Sequence, residues 1–326
     1  MTASPRFAHR LLLAVACLIV AGITGASALD YPTKPVRIVV GAGPSGATDI
    51  MARLIGQWLS ERLGQTFIIE NRPGAGTNIG TEAVVRAPPD GYTLLLAGSP
   101  NAINATLYDR LNFNFLADVV PVAGIMRTPH IMLVHPSFSA KTVPEFIAYA
   151  KANPGKVNMG SAGVGTTNHV SGELFNMMAG VKMVHVPYRT AGSVFSDLVA
   201  AQVDVLFGTA AASIEFVKAG TLRPLAVTSA TRWEALPGIP TVDESLRGYE
   251  TTFFGGIVAP KATSAEIVGK LNKEVNAGLA DPKLKARLAV LGGTVLPGSP
   301  EEFGKLIADE TEKWGKVVQA AGIKVE

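Results

Sequence analysis

The chain has 326 residues, of which 48% are hydrophobic and 17% charged, a balance that suits a large globular protein of one or two domains. Lys and Arg number 29 against 26 Asp and Glu; losing Arg6 and Arg10 with a leader would leave 27 against 26, a net charge of about +1. That excludes the basic stripe a nucleic-acid surface needs, and it leaves any selectivity for anions to local geometry.

The first 28 residues read as an address. Arg6, His9 and Arg10 form a basic n-region, Leu11–Ile23 is an apolar run of 13 residues, and Ala26-Ser27-Ala28 places small residues at a cleavage site. A membrane-spanning helix needs about 20 apolar residues, so the run predicts a signal peptide removed after Ala28 and a periplasmic location. A lipid anchor on Cys17 is the alternative, but Ala14-Val15-Ala16 suits lipobox recognition poorly. Cys17 is the single cysteine, so residues beyond the leader are expected to hold neither disulfides nor cysteine–metal sites.

From Val36 onward, β-branched runs alternate with helical stretches, which predicts an α/β fold with a mainly parallel sheet covered on both faces. Val36–Val40 is a strand. The spacing of Ile50, Met51, Leu54, Ile55 and Trp58 predicts a helix over Ala47–Leu63, with strands following at Thr66–Glu70 and Tyr92–Leu96. The pattern starts afresh with a strand at Ile131–Val134. Thr142 and Glu145, with Pro144 between them, form a capping box for a helix ending near Asn153-Pro154-Gly155. Strands are expected near Val157–Gly160, Met183–Val186, Val203–Phe207 and Pro224–Val227. Two further boxes, Thr263 with Glu266 and Ser299 with Glu302, open helices running to about Gly278 and Ala321. The C-terminal helices are expected to pack back on the first domain. The chain would then cross between domains near Gly124–Pro129 and Thr251–Gly256, giving one domain of residues 29–127 plus 254–326 and another of 128–253. Two crossings form a hinge around which domains close on a ligand.

Two glycine-rich turns carry the chemistry. Gly41-Ala42-Gly43-Pro44-Ser45-Gly46-Ala47-Thr48-Asp49 links the first strand to the first helix. Glycines admit close approach, and the first helix amides, unpartnered within the helix, face outward with the positive end of its dipole. A carboxylate or phosphate fits such a place without an arginine. Gly160-Ser161-Ala162-Gly163-Val164-Gly165-Thr166-Thr167-Asn168-His169 repeats the arrangement in the second domain. Two such turns facing each other would grip a small organic acid. The competing reading takes Gly41, Gly43 and Gly46 as a G-x-G-x-x-G fingerprint with Glu70 as its acidic residue, and so as an NAD(P)-binding Rossmann oxidoreductase. The export signal and the second turn argue against it. Ordinary tight turns closing βα units are the plain alternative for both segments.

Other candidates carry less. Ser99 and Asn101 follow the third strand, where α/β sheets place ligand contacts. Tyr188 and Arg189 follow Pro187 and could present a cation to the cleft. Asp204 is unusual within a strand and reads first as a hydrogen-bonded structural carboxylate. His169 reads as a capping or packing residue, with ligand contact as the alternative. Histidines 130, 135, 169 and 185 show no zinc spacing, and a serine hydrolase using Ser45 or Ser161 lacks a recognisable histidine and acid. No cofactor, metal or catalytic residue is expected.

Four stretches then carry a resemblance. Glu70-Asn71-Arg72-Pro73-Gly74-Ala75-Gly76, Pro89-Asp90-Gly91-Tyr92-Thr93-Leu94-Leu95, Val186-Pro187-Tyr188-Arg189 and Ile239-Pro240-Thr241 resemble, in order and spacing, the extracytoplasmic receptors of tripartite tricarboxylate transporters, the Bug receptors, over Lys34–Glu326. The resemblance implies a type II periplasmic binding protein fold, two doubly wound domains joined by a two-crossing hinge. It implies a monomeric, non-enzymatic receptor for a carboxylated metabolite that serves a tripartite-type membrane permease or a sensor. It places the carboxylate grip on Ser45, Gly46, Ala47, Thr48 and Asp49, and on Ser161, Gly165, Thr166, Thr167 and His169. The chain departs from the family pattern in the first turn, where Gly41-Ala42 replaces proline and an aromatic residue and Ser45 stands for a glycine. Phe254 stands where tryptophan is common, Arg189 for a frequent lysine and Thr190 for a frequent glycine. These departures bear on which ligand is bound.

Overall fold

The computed structural model describes residues 30–44 and 46–325; the leader, its cleavage site, Cys17 and Ser45 lie outside the described residues. In chain order, β1 (Val36–Val40), α1 (Ala47–Leu63), β2 (Phe67–Asn71), a 3₁₀ turn (Ala75–Thr77), α2 (Asn78–Val85), β3 (Thr93–Gly98), α3 (Ser99–Leu107) and α4 (Phe115–Asp118) build the first half. The long β4 (Val119–Val134) leads into the second: α5 (Val143–Ala152), β5 (Asn158–Ser161), α6 (Thr167–Ala179), β6 (Val184–Pro187), α7 (Ala191–Val199), β7 (Val205–Thr209), α8 (Ala210–Lys218) and β8 (Arg223–Val227). β9 (Thr252–Pro260) returns the chain to α9 (Ala265–Ala280), α10 (Pro282–Val290), β10 (Thr294–Val295) and α11 (Pro300–Ala321).

The strands form one continuous curled sheet in the order β2-β1-β3-β9-β4-β7-β5-β6, with β8 and β10 pairing β4 outside that path. Its flanks are parallel, β1 between β2 and β3 and β5 between β6 and β7. Its middle is antiparallel, because β4 and β9 run against each other and against the strands they join. The sheet is therefore mixed, where alternation alone suggested mainly parallel. A chain that leaves one half and returns must lay its two crossing strands in opposite directions. β4 and β9 stay paired from Val119↔Pro260 to Pro129↔Thr252; from His130 onward β4 pairs β7 instead.

Local sequence explains most boundaries. Gly64 ends α1 in the left-handed region at φ 72°, where a side chain is disfavoured. In the Ser299 box, Ser299 Oγ accepts from Glu302 N at 3.2 Å and Glu302 Oε2 accepts from Ser299 N at 2.7 Å. Two details differ from the sequence reading. Glu145 returns its carboxylate to Lys141 N, one residue before the cap Thr142. The α9 cap is Ser264, whose Oγ accepts from Ile267 N, while Thr263 donates its hydroxyl to Pro260 O. α10 and the two-residue β10 were not anticipated.

Two large apolar cores lie on opposite faces of the first half. One joins α1, α9 and α10 to the sheet through Ile55, Leu59, Leu271 and Leu288. The other passes without a break from the first half into the second, linking Leu95, Phe254 and Phe303 to Phe175, Phe207 and Tyr249. α11 lies along this shared core, and its far end, with Trp314, Val317 and Val318 buried, reaches α6 in the second half. This helix packs on the first half, as expected, and on α6 of the second half as well.

Candidate functional site

The turn between β5 and α6 is built by a chain of internal bonds. Gly163 and Gly165 have φ of +130° and +73°, conformations that glycine supplies at low cost. A Cβ on Gly165 would collide with Leu107 Cδ2 of α3, so this turn presses against the other half with nothing to spare. Gly163 N donates to Ser161 Oγ at 3.1 Å, and Thr166 Oγ1 donates to Gly163 O at 2.7 Å. Gly165 N donates to His169 Nδ1 at 3.1 Å, which leaves the ring proton on Nε2, facing Glu173 at 3.7 Å. His169 stacks on His185 with centroids 3.5 Å apart and planes 11° from parallel. Burial, and then the neighbouring His185, pushes His169 down to about 3, and burial pushes His185 down to about 4. Both rings are neutral at pH 7 and act as struts. Thr167 Oγ1 meets His130 Nε2 at 3.0 Å, and burial pushes His130 to about 4 as well.

His185 Nε2 lies 2.6 Å from Ser161 Oγ. This corrects the expectation that Ser161 has no histidine partner, since the two are brought together by the parallel pairing of β5 with β6. Ser161 is nonetheless fully buried and its oxygen already accepts the Gly163 amide. The pair fastens the turn and offers no nucleophile to solvent.

The first turn is organised by Asp49. This buried carboxylate accepts from Arg53 Nε at 2.8 Å and from Asn71 Nδ2 at 2.9 Å, and the same Asn71 amide donates to Ala42 O at 3.0 Å. Asp49 therefore ties the α1 start to the end of β2. Gly41 packs so closely on Thr77 that a Cβ there would lie 2.6 Å from Thr77 Cβ. Gly46, the α1 cap, and Ala47 are exposed, and Thr48 is half-buried.

Between the halves lies a cavity of about 290 Å³. The second half contributes Val164, Gly165 and Thr166; the first contributes Gly41, Gly74, Gly76 and Thr77, and Pro100, Asn104, Leu107 and Tyr108 from and beside α3. Of the residues singled out in the sequence, Gly165 and Thr166 line it. Several others face inward to the protein instead. Ser99 Oγ accepts from Phe254 N at 3.0 Å, and Asn101 bridges Gly98 N and Thr81 Oγ1. Phe254 is buried against Phe303, on the α11 side. Asp204 accepts from Asn158 N at 2.7 Å at the amino end of β7, remote from the strand end that opens toward the turn, in keeping with its reading as a structural carboxylate. Tyr188 donates its hydroxyl to Asp197 at 2.7 Å, and burial with that bond raises it to about 12. Arg189 is exposed beside it, and no ion pair holds it among the described residues. The α3 wall was missed. Its one signal was the spacing of Pro100, Asn104 and Leu107–Tyr108, which places them along one helix face.

Among the described residues there is no group of three His, Cys, Asp or Glu able to hold a metal, and no helix long and apolar enough to cross a membrane. Glu70, the acid of the dinucleotide reading, accepts from Arg72 at 2.6 Å and lies 3.4 Å from Arg37, so it is engaged by arginines rather than held open for a ribose.

Comparison with known proteins follows the same lines. The family model described as "Tripartite tricarboxylate transporter family receptor" matches residues 51–323. The Bordetella pertussis protein BugT is 32% identical, over 97% of this chain and 99% of its own. Among solved structures, an R. palustris protein with adipate superposes with a TM-score of 0.78 at 36% identity, covering 90% of this chain and 99% of that one. MatC from Rhodopseudomonas palustris, with bound malate, gives 0.75 at 29% identity, covering 88% and 100%.

Proposed function

Because the chain belongs to the tripartite tricarboxylate transporter receptor family, a family of solute-binding receptors with the periplasmic binding protein fold, we propose that it is an exported receptor that closes around a small carboxylate metabolite and performs no reaction on it. The reading takes residues 1–28 as a removed signal peptide. It takes 29–127 with 254–326 as one lobe and 128–253 as the other, with α11 bridging them. The partner is a tripartite-type permease that engages the closed monomer, or a sensor in its place.

The observation that carries the reading is the meeting of Gly165–Thr166, at the start of α6, with the α3 wall across a cavity between the two halves. The first amides of α6 have no partner within the helix, and its dipole adds about half a positive charge at that end. An acid seated there is held by geometry rather than by a salt bridge. Relatives solved with adipate and malate support an organic acid as the guest.

Thermal denaturation against an organic-acid panel, with NAD and NADP alongside, tests the proposal. A ligand that binds only the folded chain adds about 2.7 kcal/mol of stability at a hundredfold excess over its dissociation constant. At least one acid is expected to raise the midpoint and neither nucleotide to do so; a nucleotide response with no acid response would overturn the reading.

A further inference from the structure

Thr77 caps α2 on the cavity wall with a strained backbone and an unpaired hydroxyl. We propose that it is a ligand-contacting residue whose hydroxyl donates to an oxygen of the bound acid. The inference rests on the receptor reading above and adds a contact within the same cavity.

Thr77 has φ 88° and ψ −9°, in the left-handed region, where a β-branched residue is an outlier. It ends a run in which Gly74, Ala75, Gly76 and Thr77 all have positive φ, at 129°, 45°, 62° and 88°. The surroundings impose that path. Thr77 N donates to Gly74 O at 3.0 Å, Asn104 Nδ2 of α3 donates to Gly76 O at 2.5 Å, and Gly41 packs closely against Thr77. Backbone strain persists only where neighbours over-determine it, and it gathers at ligand sites. Glycine would adopt these angles freely, so the fold by itself gives no reason for a threonine here.

The side chain adds a second, independent observation. A threonine cap ordinarily accepts from the amide of the second or third helical residue, and Thr77 makes no such bond. Its Oγ1 is buried and has no hydrogen-bond partner among the described residues, whereas most buried side-chain polar atoms have one. Its carbonyl oxygen, by contrast, is used, accepting from Thr81 Oγ1 at 3.1 Å. The residue as a whole is only half-buried and lines the cavity. One step of χ1 between staggered wells swings the hydroxyl about Cβ, and a guest oxygen in the cavity gives it the acceptor it lacks. A threonine stands where glycine suits the backbone because it brings an O–H to the guest.

Calorimetry and thermal unfolding of the exported chain test this, with adipate, malate, citrate, hexanoate and benzoate as probes and the tightest binder as reference. Thr77→Val keeps the branched shape and exchanges an unpaired hydroxyl for a methyl. Thr77→Gly removes the hydroxyl and the strain together. Both are expected to unfold at or above the wild-type midpoint and to bind the reference acid about tenfold more weakly, the loss of one hydrogen bond to a charged group. Thr77→Ser keeps the hydroxyl and is expected to bind closer to wild type than to Thr77→Val. A loss below about threefold in either folded variant overturns the assignment and leaves the receptor reading standing. So does a serine variant as weak as the valine one. Weak binding with a lowered midpoint in both Thr77→Val and Thr77→Gly makes Thr77 a structural residue and also overturns it. No heat from any of the five acids with the wild-type chain removes the receptor reading itself, and this inference with it.

Discussion

At the scale of single residues, most polar side chains near the cavity hold the backbone in place and few point into the open space. Gly165 is the most constrained: its φ of +73° and its contact with Leu107 exclude any side chain. Gly165→Ala is expected to lower stability by about 1 kcal/mol or more and to weaken acid binding, read by thermal unfolding and calorimetry. Thr166→Ala removes the bond to Gly163 O, worth about 1 kcal/mol, and loosens the same turn. Asp49→Ala leaves the Asn71 amide and the Arg53 guanidinium without their carboxylate. Its effect is expected mainly in stability, about 1–3 kcal/mol, with a smaller loss of affinity than Thr166→Ala; the reverse order would return Asp49 to direct ligand contact.

The buried histidines make a pH prediction with a definite sign. Unfolded histidine takes up a proton near pH 6.5, whereas His130, His169 and His185 resist until about 4, 3 and 4. Between those limits the unfolded chain binds more protons, so stability rises with pH. The contribution is complete above about pH 6.5 and is lost as pH falls toward 4. Urea unfolding at pH 7.5 and 4.5 measures the difference, and His185→Gln is expected to reduce it. The glycine turns were legible in the sequence because they punctuate it. The Ser161–His185 and His169–His185 contacts were not, since residues 24 and 16 apart meet only through strand pairing and helix packing.

At the scale of elements, α1 was readable to the residue, because its apolar spacing and its Gly64 stop agree. α10 and β10 were not, because a nine-residue helix followed by a two-residue strand carries too little periodicity to stand out. α11 was readable as a helix that packs on the first half, but its contact with α6 was not: an apolar stripe specifies that something is buried, not everything that covers it. Trp314 is fully buried in the core shared by both halves. Trp314→Ala is expected to cost about 3–5 kcal/mol, measured by denaturant unfolding. Because that core is continuous, the unfolding transition is expected to remain single; separate transitions for the two halves would contradict the shared packing.

At the scale of the whole molecule, fold class and family were legible because several spaced motifs agree, while the α3 wall of the cavity was not. A cavity between halves is made of residues distant in sequence, and the α3 side announces itself by no charge or glycine. The link between the halves has a consequence for motion. β4 and β9 remain bonded to each other up to Pro129 and Thr252, so the connection is a short ladder and not a pair of slack tethers. A ladder of that kind resists sliding of one rail past the other and yields most easily in torsion. Release of the guest should therefore proceed as a screw-like rotation about the ribbon, the same for every acid admitted, with the far end of α11 dragged along its partner helix as the brake that sets how wide the mouth can gape.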